Sequence, residues 1–399
     1  MIRTVKLRDV AHLNPRLIDR LDKDTIVSFL GMADVDAVEG TTGAGVDKKF
    51  FEVSKGYTQF KSGDLLVAKI TPCFENGKIA QAKMRNPQGA GSTEFHVVRP
   101  DSSELDSRYL LHFLRLPQVR IAGERRMTGS AGQRRVPESF LAELTFPLPS
   151  VAEQRRIAEV LDGVDVLREK RRRAIALLDD LARSIFLDMF GDPIANSRNW
   201  LRIPFGDLLD RIDSGTSPKC LDRPARDNEW AVLKLSSVTS CRFIPAENKA
   251  IPLGTIPAYD DEVRPGDLLF TRKNTPSLVA ACSFVRDTPP RLLMPDLIFR
   301  FRFKSDAEVV PLYIHQLLVN PQKRRKVQEL AGGSAASMSN ISKARLMNLS
   351  IELPPLDLQR EFAKRIDTLE RSRHVYVTQL DDLDTLFVSL QSRAFRGEL

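Results

Sequence analysis

A chain of 399 residues is longer than one hydrophobic core ordinarily serves, so two or more domains are expected. Hydrophobic residues make up 42% and charged residues 28%, with no low-complexity tract, which excludes a disordered or fibrous chain. The formal charge of +8 attracts phosphate before any specific contact forms and favours a polyanionic partner, although many basic proteins bind no nucleic acid.

The N-terminus, Met1 to Lys6, has no signal-peptide core, and no apolar run reaches the length of about eighteen residues that a membrane span needs. A cytoplasmic protein with no membrane partner is expected. Cys73, Cys220, Cys241 and Cys282 form no C-x-x-C pair and have no His cluster nearby, so they read as buried thiols.

In chain order, Val5 to Val10 and Thr25 to Leu30 read as strands between Gly-rich turns. A Gly63-Asp64 turn feeds the apolar run Leu65 to Ala68, which delivers Lys69 into a loop ending at Thr71-Pro72. Ser107 to Leu116 is helical, with Tyr109, Leu110, Phe113 and Leu114 on one face, and Leu141 to Leu148 is a strand. From Ala152 to Phe190 a long helical pattern stops at Gly191-Asp192-Pro193. At 1.5 Å per residue such a helix is about 60 Å long, too long for one small domain to cover, so it needs a partner helix. Ile157, Leu161, Val164, Ile175 and Leu178 supply its apolar seam.

The remaining chain replays this order. Leu148-Pro149-Ser150-Val151-Ala152-Glu153-Gln154-Arg155 returns as Leu353-Pro354-Pro355-Leu356-Asp357-Leu358-Gln359-Arg360, 205 residues later. Gly266-Asp267 repeats Gly63-Asp64, Thr275-Pro276 repeats Thr71-Pro72, Tyr313 with Pro321 repeats Tyr109 with Pro117, and Gly333-Ser334-Ala335 repeats Gly129-Ser130-Ala131. Ordered matches at nearly constant offset mark an internal duplication. The second long helix, from Gln359 to about Phe395, has its seam at Phe362, Ile366, Leu369, Leu380 and Leu383. Two equally long amphipathic helices in one chain pack most simply on each other. The expected fold is therefore α+β: two similar α/β domains, at 1–148 and 196–353, joined by two long antiparallel helices, at 149–195 and 354–399, in a pseudo-two-fold arrangement.

This duplicated order resembles the DNA-specificity subunit of type I restriction-modification systems, and the likeness covers essentially the whole chain. The residues that carry it are the two Leu-Pro to Gln-Arg helix openings, the Gly-Asp-Leu-Leu turns, the Gly-Ser-Ala loops and Ser392 to Gly397. The resemblance implies two target-recognition domains that each read half of an asymmetric double-stranded DNA site. It further implies helices that act as a ruler and bind two methyltransferase subunits, with restriction and translocase subunits added. S-adenosyl-methionine, ATP and magnesium would belong to those partners, and no cofactor or metal to this chain. Readers approaching one DNA face require half-sites about one helical turn, roughly 34 Å, apart.

The base-reading candidates are Lys69, Gln133, Arg134 and Arg135 in the first domain, and Arg272, Lys273, Ser337, Ser339 and Asn340 in the second. Arg suits guanine, and Gln or Asn suits adenine. The plainer alternatives are a solvated basic loop and, for Asn340, a helix cap before Ile341. Lys323-Arg324-Arg325-Lys326 reads as a phosphate contact or a solvated run. Arg168 to Arg173 reads either as a phosphate track or as a coiled-coil surface paired with Asp381, Asp382 and Asp384. His112 and His315 read as core residues.

Catalytic motifs are wanting: there is no phosphate loop, no H-E-x-x-H and no Asn-Pro-Pro-aromatic stretch. Glu247-Asn248-Lys249 is a lone nuclease-like triplet without the clustered carboxylates that metal-dependent cleavage needs. The chain is read as a non-catalytic subunit. A stand-alone metal-dependent nuclease and a protein-binding coiled-coil scaffold are the alternatives.

Overall fold

The computed structural model describes residues 3–16, 21–130, 132–332 and 338–399. Among them are six helices of eight residues or more: α1 (Ser107–Leu114), α2 (Pro117–Arg125), α3 (Val151–Phe190), α4 (Pro311–Val319), α5 (Pro321–Gln328) and α6 (Leu356–Ala394). The chain divides into two compact units, one of Met1–Arg173 with Tyr376–Leu399, the other of Ala174–Val375. Each unit holds one mixed domain and a stretch of both long helices.

In the first unit, strand Arg3–Lys6 pairs antiparallel with Thr145–Leu148, tying the chain's start to the strand that leads into α3. The main sheet centres on Phe95–Pro100, flanked by Ala11–Leu13 and Leu65–Ala68. The second unit has the same plan. Leu201–Pro204 pairs with Ser350–Leu353, and Ile298–Phe303 lies between Leu209–Ser214 and Leu268–Thr271.

The repeated motifs are explained by what they bond. Gly63 and Gly266 adopt φ of 93° and 91°, a left-handed turn that glycine enters without a Cβ penalty. The following Asp64 and Asp267 accept hydrogen bonds at 2.9 Å from the amides of Lys61 and Arg264, which closes each turn. Both carboxylates are buried, and each is met by arginine from the central strand: Arg99 at 2.8 and 2.7 Å, Arg300 and Arg302 at 3.2 Å.

Gln154 and Gln359 are fully buried near the starts of α3 and α6. Gln154 accepts from the Asp106 amide at 2.8 Å and donates to the carbonyls of Glu104 and Pro149, both at 2.9 Å. Gln359 does the same with the Val310 amide and the carbonyls of Glu308 and Pro354. The recurring glutamine is therefore a staple between the head of the long helix and the loop ahead of α1 or α4. Deleting it would strand buried backbone groups at about 1–3 kcal/mol each. Tyr109 and Tyr313 add a parallel bond, donating to the carbonyls of Pro147 and Glu352 at 2.8 and 2.6 Å.

Within each unit the two long helices run antiparallel. In the first, Leu161 and Val164 are buried in one core with Phe387 and Ala394, and Leu383 packs against it. In the second, Phe186 and Phe190 meet Phe362 at ring separations of 5.8 and 5.1 Å, and Ile366 is buried beside them. Ile157 lies in the first core and Leu369 packs on the second. Ile175, Leu178 and Leu380 are only half-buried. The seam thus serves packing inside the chain. Val151–Phe190 starts one residue before the expected Ala152 and ends at Gly191 with φ of 76°; Leu356–Ala394 starts three residues before Gln359.

Several local expectations are corrected. Leu7–Val10 is a single helical turn, not strand, because Leu7 and Val10 bury together, and Phe205–Leu208 forms the same turn in the second unit. Leu141 lies in a short helix, Glu138–Ala142, and only Thr145–Leu148 is strand. The helix from Ser107 stops at Leu114, and Pro117 opens α2. Cys282 alone of the four cysteines is buried, and the others are half-buried.

Candidate nucleic-acid interface

The candidate base-reading residues converge on one small antiparallel ribbon in each unit. In the first, the Lys69 amide donates to Glu94 O at 2.9 Å, the Val136 amide donates to Lys69 O at 2.8 Å, and Ile70 bridges Arg135. In the second, the Arg272 amide donates to Leu297 O at 3.1 Å, the Ile341 amide donates to Arg272 O at 2.8 Å, and Lys273 pairs with Asn340. These bonds make Arg272 the counterpart of Lys69, and Asn340 the counterpart of Arg135. Thr128 bridges Arg135 as Gly332 bridges Asn340, which extends the match to a third strand segment. Ser337 lies outside the described residues.

The two ribbons share a backbone and differ in side chains. Gln133 is exposed, and Arg134 reaches Glu75 only at 3.7 Å, with 43% of its side chain open to solvent. Arg135 is held by both oxygens of Glu94, at 2.9 and 2.7 Å. The hydrogen bond from Arg135 lowers the Glu94 pKa below the usual carboxylate range, so both partners stay charged. Arg135 therefore braces the ribbon, and Lys69, Gln133 and Arg134 are its freer polar side chains.

In the second unit the Arg272 guanidinium donates to Asp296 O at 2.8 Å and to Asn340 Oδ1 at 3.4 Å, and sits 5.4 Å above the Phe299 ring. Lys343 approaches the same ring at 5.6 Å while donating to Ile212 O. Phe299 is thus a buried platform under two cations that the sequence did not mark, because no local motif surrounds it. Asn340 caps no helix: Ser342 does, accepting from the Arg345 amide. Ser339 pairs with Asn274, and exposed Met338 stands where the first ribbon has Gln133.

Other basic stretches are occupied. Lys323 is buried, donating to Glu352 at 2.5 Å and to Ser350 O at 2.7 Å, so the run Lys323 to Lys326 is not uniformly solvated. Arg168 and Arg172 pair with Asp384, and Arg173 pairs with Glu169 and Glu39, as a coiled-coil surface would. His112 is buried and bonds Asp162 at 2.8 Å, a polar role beyond core packing. Glu247 is taken by Lys234 and Ser236, and Lys249 by Asp222. Among the described residues no group of three His, Cys, Asp or Glu is placed to hold a metal ion, and no helix is long and apolar enough to cross a membrane.

Residues 2–176 match the type I restriction modification DNA specificity domain. The type I restriction enzyme EcoEI specificity subunit of Escherichia coli is 28% identical over 96% of this chain and 81% of its own length. Along nearly its whole length the chain is thus similar to a type I restriction enzyme specificity subunit. The EcoAI specificity subunit of Escherichia coli is 42% identical over a shorter stretch, 38% of this chain and 26% of its own. The crystal structure of a type I restriction-modification S subunit from M. genitalium matches at a TM-score of 0.59 and 14% identity, over 98% of this chain and 96% of that one, a likeness of fold.

Proposed function

We propose that this chain is a DNA-specificity subunit of a type I restriction-modification system and reads a bipartite, asymmetric double-stranded DNA target, each ribbon addressing one half. The observation that carries this is the pair of matched ribbons with unlike side chains: Lys69, Gln133 and Arg134 on one, Arg272, Lys273, Met338 and Asn340 on the other. One backbone presenting two sets of donors and acceptors selects two different base sequences, since the major groove distinguishes every base pair by that pattern. Lys and Arg elsewhere supply sequence-independent phosphate affinity.

The chain assembles with other subunits through its long helices, and we assign it two methyltransferase partners, with nuclease and translocase subunits added. Val160, Val166, Leu167, Leu386 and Val388 in the first unit, and Leu177, Leu181, Leu187 and Val375 in the second, are exposed apolar side chains on α3 and α6. Exposed apolar side chains on the long helices of each unit support one partner per unit. Methyl transfer from S-adenosyl-methionine, and ATP- and magnesium-dependent cleavage, belong to those partners.

Base-resolved methylation mapping tests the reading, comparing cells that carry the complex with cells lacking only this chain. A single split, asymmetric motif that vanishes with the chain is expected. Methylation that persists unchanged without it would overturn the reading.

A further inference from the structure

The second unit contains a cleft of about 820 Å³ bordered by α3, α6, α5 and the loop around Arg242, and six arginines against three carboxylates line it. The repeats differ at this point. In the first unit, the side chain just after α1, Arg115, lies across the matching space: it donates to Ala37 O at 2.9 Å and to Val38 O, and lies 3.8 Å from Asp165. At the offset that relates Tyr109 to Tyr313, Arg115 corresponds to Val319, which cannot span that distance. The loop carbonyl at Cys241 is instead reached by His315, at 3.2 Å, and the space stays open.

The charges in the cleft are unequally committed. Asp179 accepts from Arg242 and from Arg373 at 3.1 Å, and Glu370 accepts from Arg242 at 3.2 Å, so these two acids are neutralised from within. Arg183 is largely exposed, with only the solvent-facing Asp180 at 3.1 Å, and Arg325 is exposed on the same rim. Arg324 touches only neutral groups, Cys241 Sγ and the carbonyls of Ser277 and Leu278. Those carbonyls belong to the loop that continues from ribbon residues Lys273 and Asn274. Arg324 thus lies beside the loop that leads on from the reading ribbon.

We infer that this cleft seats the phosphate backbone of DNA flanking the second half-site, with Arg183, Arg324 and Arg325 as its contacts. The inference rests on the DNA-reading function proposed above and assigns a surface that no base-reading candidate covers. Guanidinium groups facing an open groove match phosphate oxygens, and such contacts fix register without carrying sequence information. The cleft is too small to enclose a duplex, whose major groove alone is about 12 Å wide, so one strand's backbone lies along it.

The test uses the full chain assembled with its methyltransferase partner, in parent form and as Arg183→Gln, Arg325→Gln and the double variant, neither residue being an internal brace. Binding to the target duplex and to a scrambled duplex of equal length is titrated across a salt series. Affinity for both duplexes should fall several-fold, and the slope of log affinity against log salt should flatten by roughly one for each phosphate that is no longer neutralised, with the methylated motif unchanged. Affinity and slope equal to the parent's would overturn the inference. So would a change in the motif, which would make these residues base readers. A parent complex that prefers neither duplex would refute the reading function, while the salt slopes would still decide the cleft.

Discussion

The two units anchor their domains to the same helical positions with different cations. Asp162 and Asp165 on α3 correspond, at the offset of the two glutamine staples, to Asp367 and Glu370 on α6. In the first unit the cations come from α1 and its end: Arg108 and His112 bond Asp162, and Arg115 faces Asp165. In the second they come from loops, Arg286 to Asp367 and Arg242 to Glu370. Duplication kept the acids on the helix and let the partner migrate, so one anchor is packed under the domain while the other borders an open cleft. Equivalent topology does not guarantee equivalent energetics.

The largest difference should appear with pH. Burial holds the His315 imidazole neutral and depresses its pKa to about 4, even though the Cys241 carbonyl favours the charged form. The unfolded chain takes up that proton near pH 6.5, so stability is full above about 6.5 and is lost as pH falls toward 4, by about 3 kcal/mol. At the offset of α1 to α4 the first unit has Leu111 instead. Trp200 and Trp230, the only tryptophans, both lie in the second unit, so their fluorescence during urea unfolding reports it selectively. A His315→Leu variant should lose this acid-side slope.

Removing the anchoring acids should separate the units next. Burial opposes ionisation of Asp162, but hydrogen bonds from His112 and Arg108 outweigh it and hold its pKa near 2. Its contribution is present above about pH 3.9 and lost as pH falls through 2, so Asp162→Ala at neutral pH strands two partners, one fully buried, at about 2–3 kcal/mol. Asp367→Ala, at a site where both partners are more than a third exposed, should cost under about 1 kcal/mol in the same denaturation series. Equal losses would contradict the distinction.

The smallest effect concerns polarity. Arg242→Glu should loosen the second domain by about 1 kcal/mol or less, and adding Glu370→Arg should restore part of that loss. Hydrogen exchange at residues 236–244 reads the change. Absence of rescue would mean that Arg242 acts by packing alone.

What the sequence disclosed depended on distance along the chain. The long helices were legible because their apolar spacing and the Gly191 stop are local signals, and the duplication because order survives divergence. The turns at Leu7–Val10 and Phe205–Leu208 were not legible, since four residues carry too little periodicity to separate helix from strand. The candidate readers beside the Gly-rich turns were legible, but their pairing into ribbons joins residues far apart in the chain and was not. That Arg135 is engaged by Glu94 depends on a hydrogen bond across 41 residues, and that Lys323 is buried on Glu352 depends on one across 29. Gln154 was visible as a repeated letter, but its purpose lies in Asp106, 48 residues away.

The central claim is that the two ribbons read two separate half-sites, and methylation mapping of complexes carrying Arg134→Ala or Asn340→Ala tests it most directly. Each substitution should relax the motif at one half only, and at different halves, by about 1–3 kcal/mol of discrimination at the affected base. Relaxation at the same half in both variants, or a uniform loss across both halves, would contradict the account.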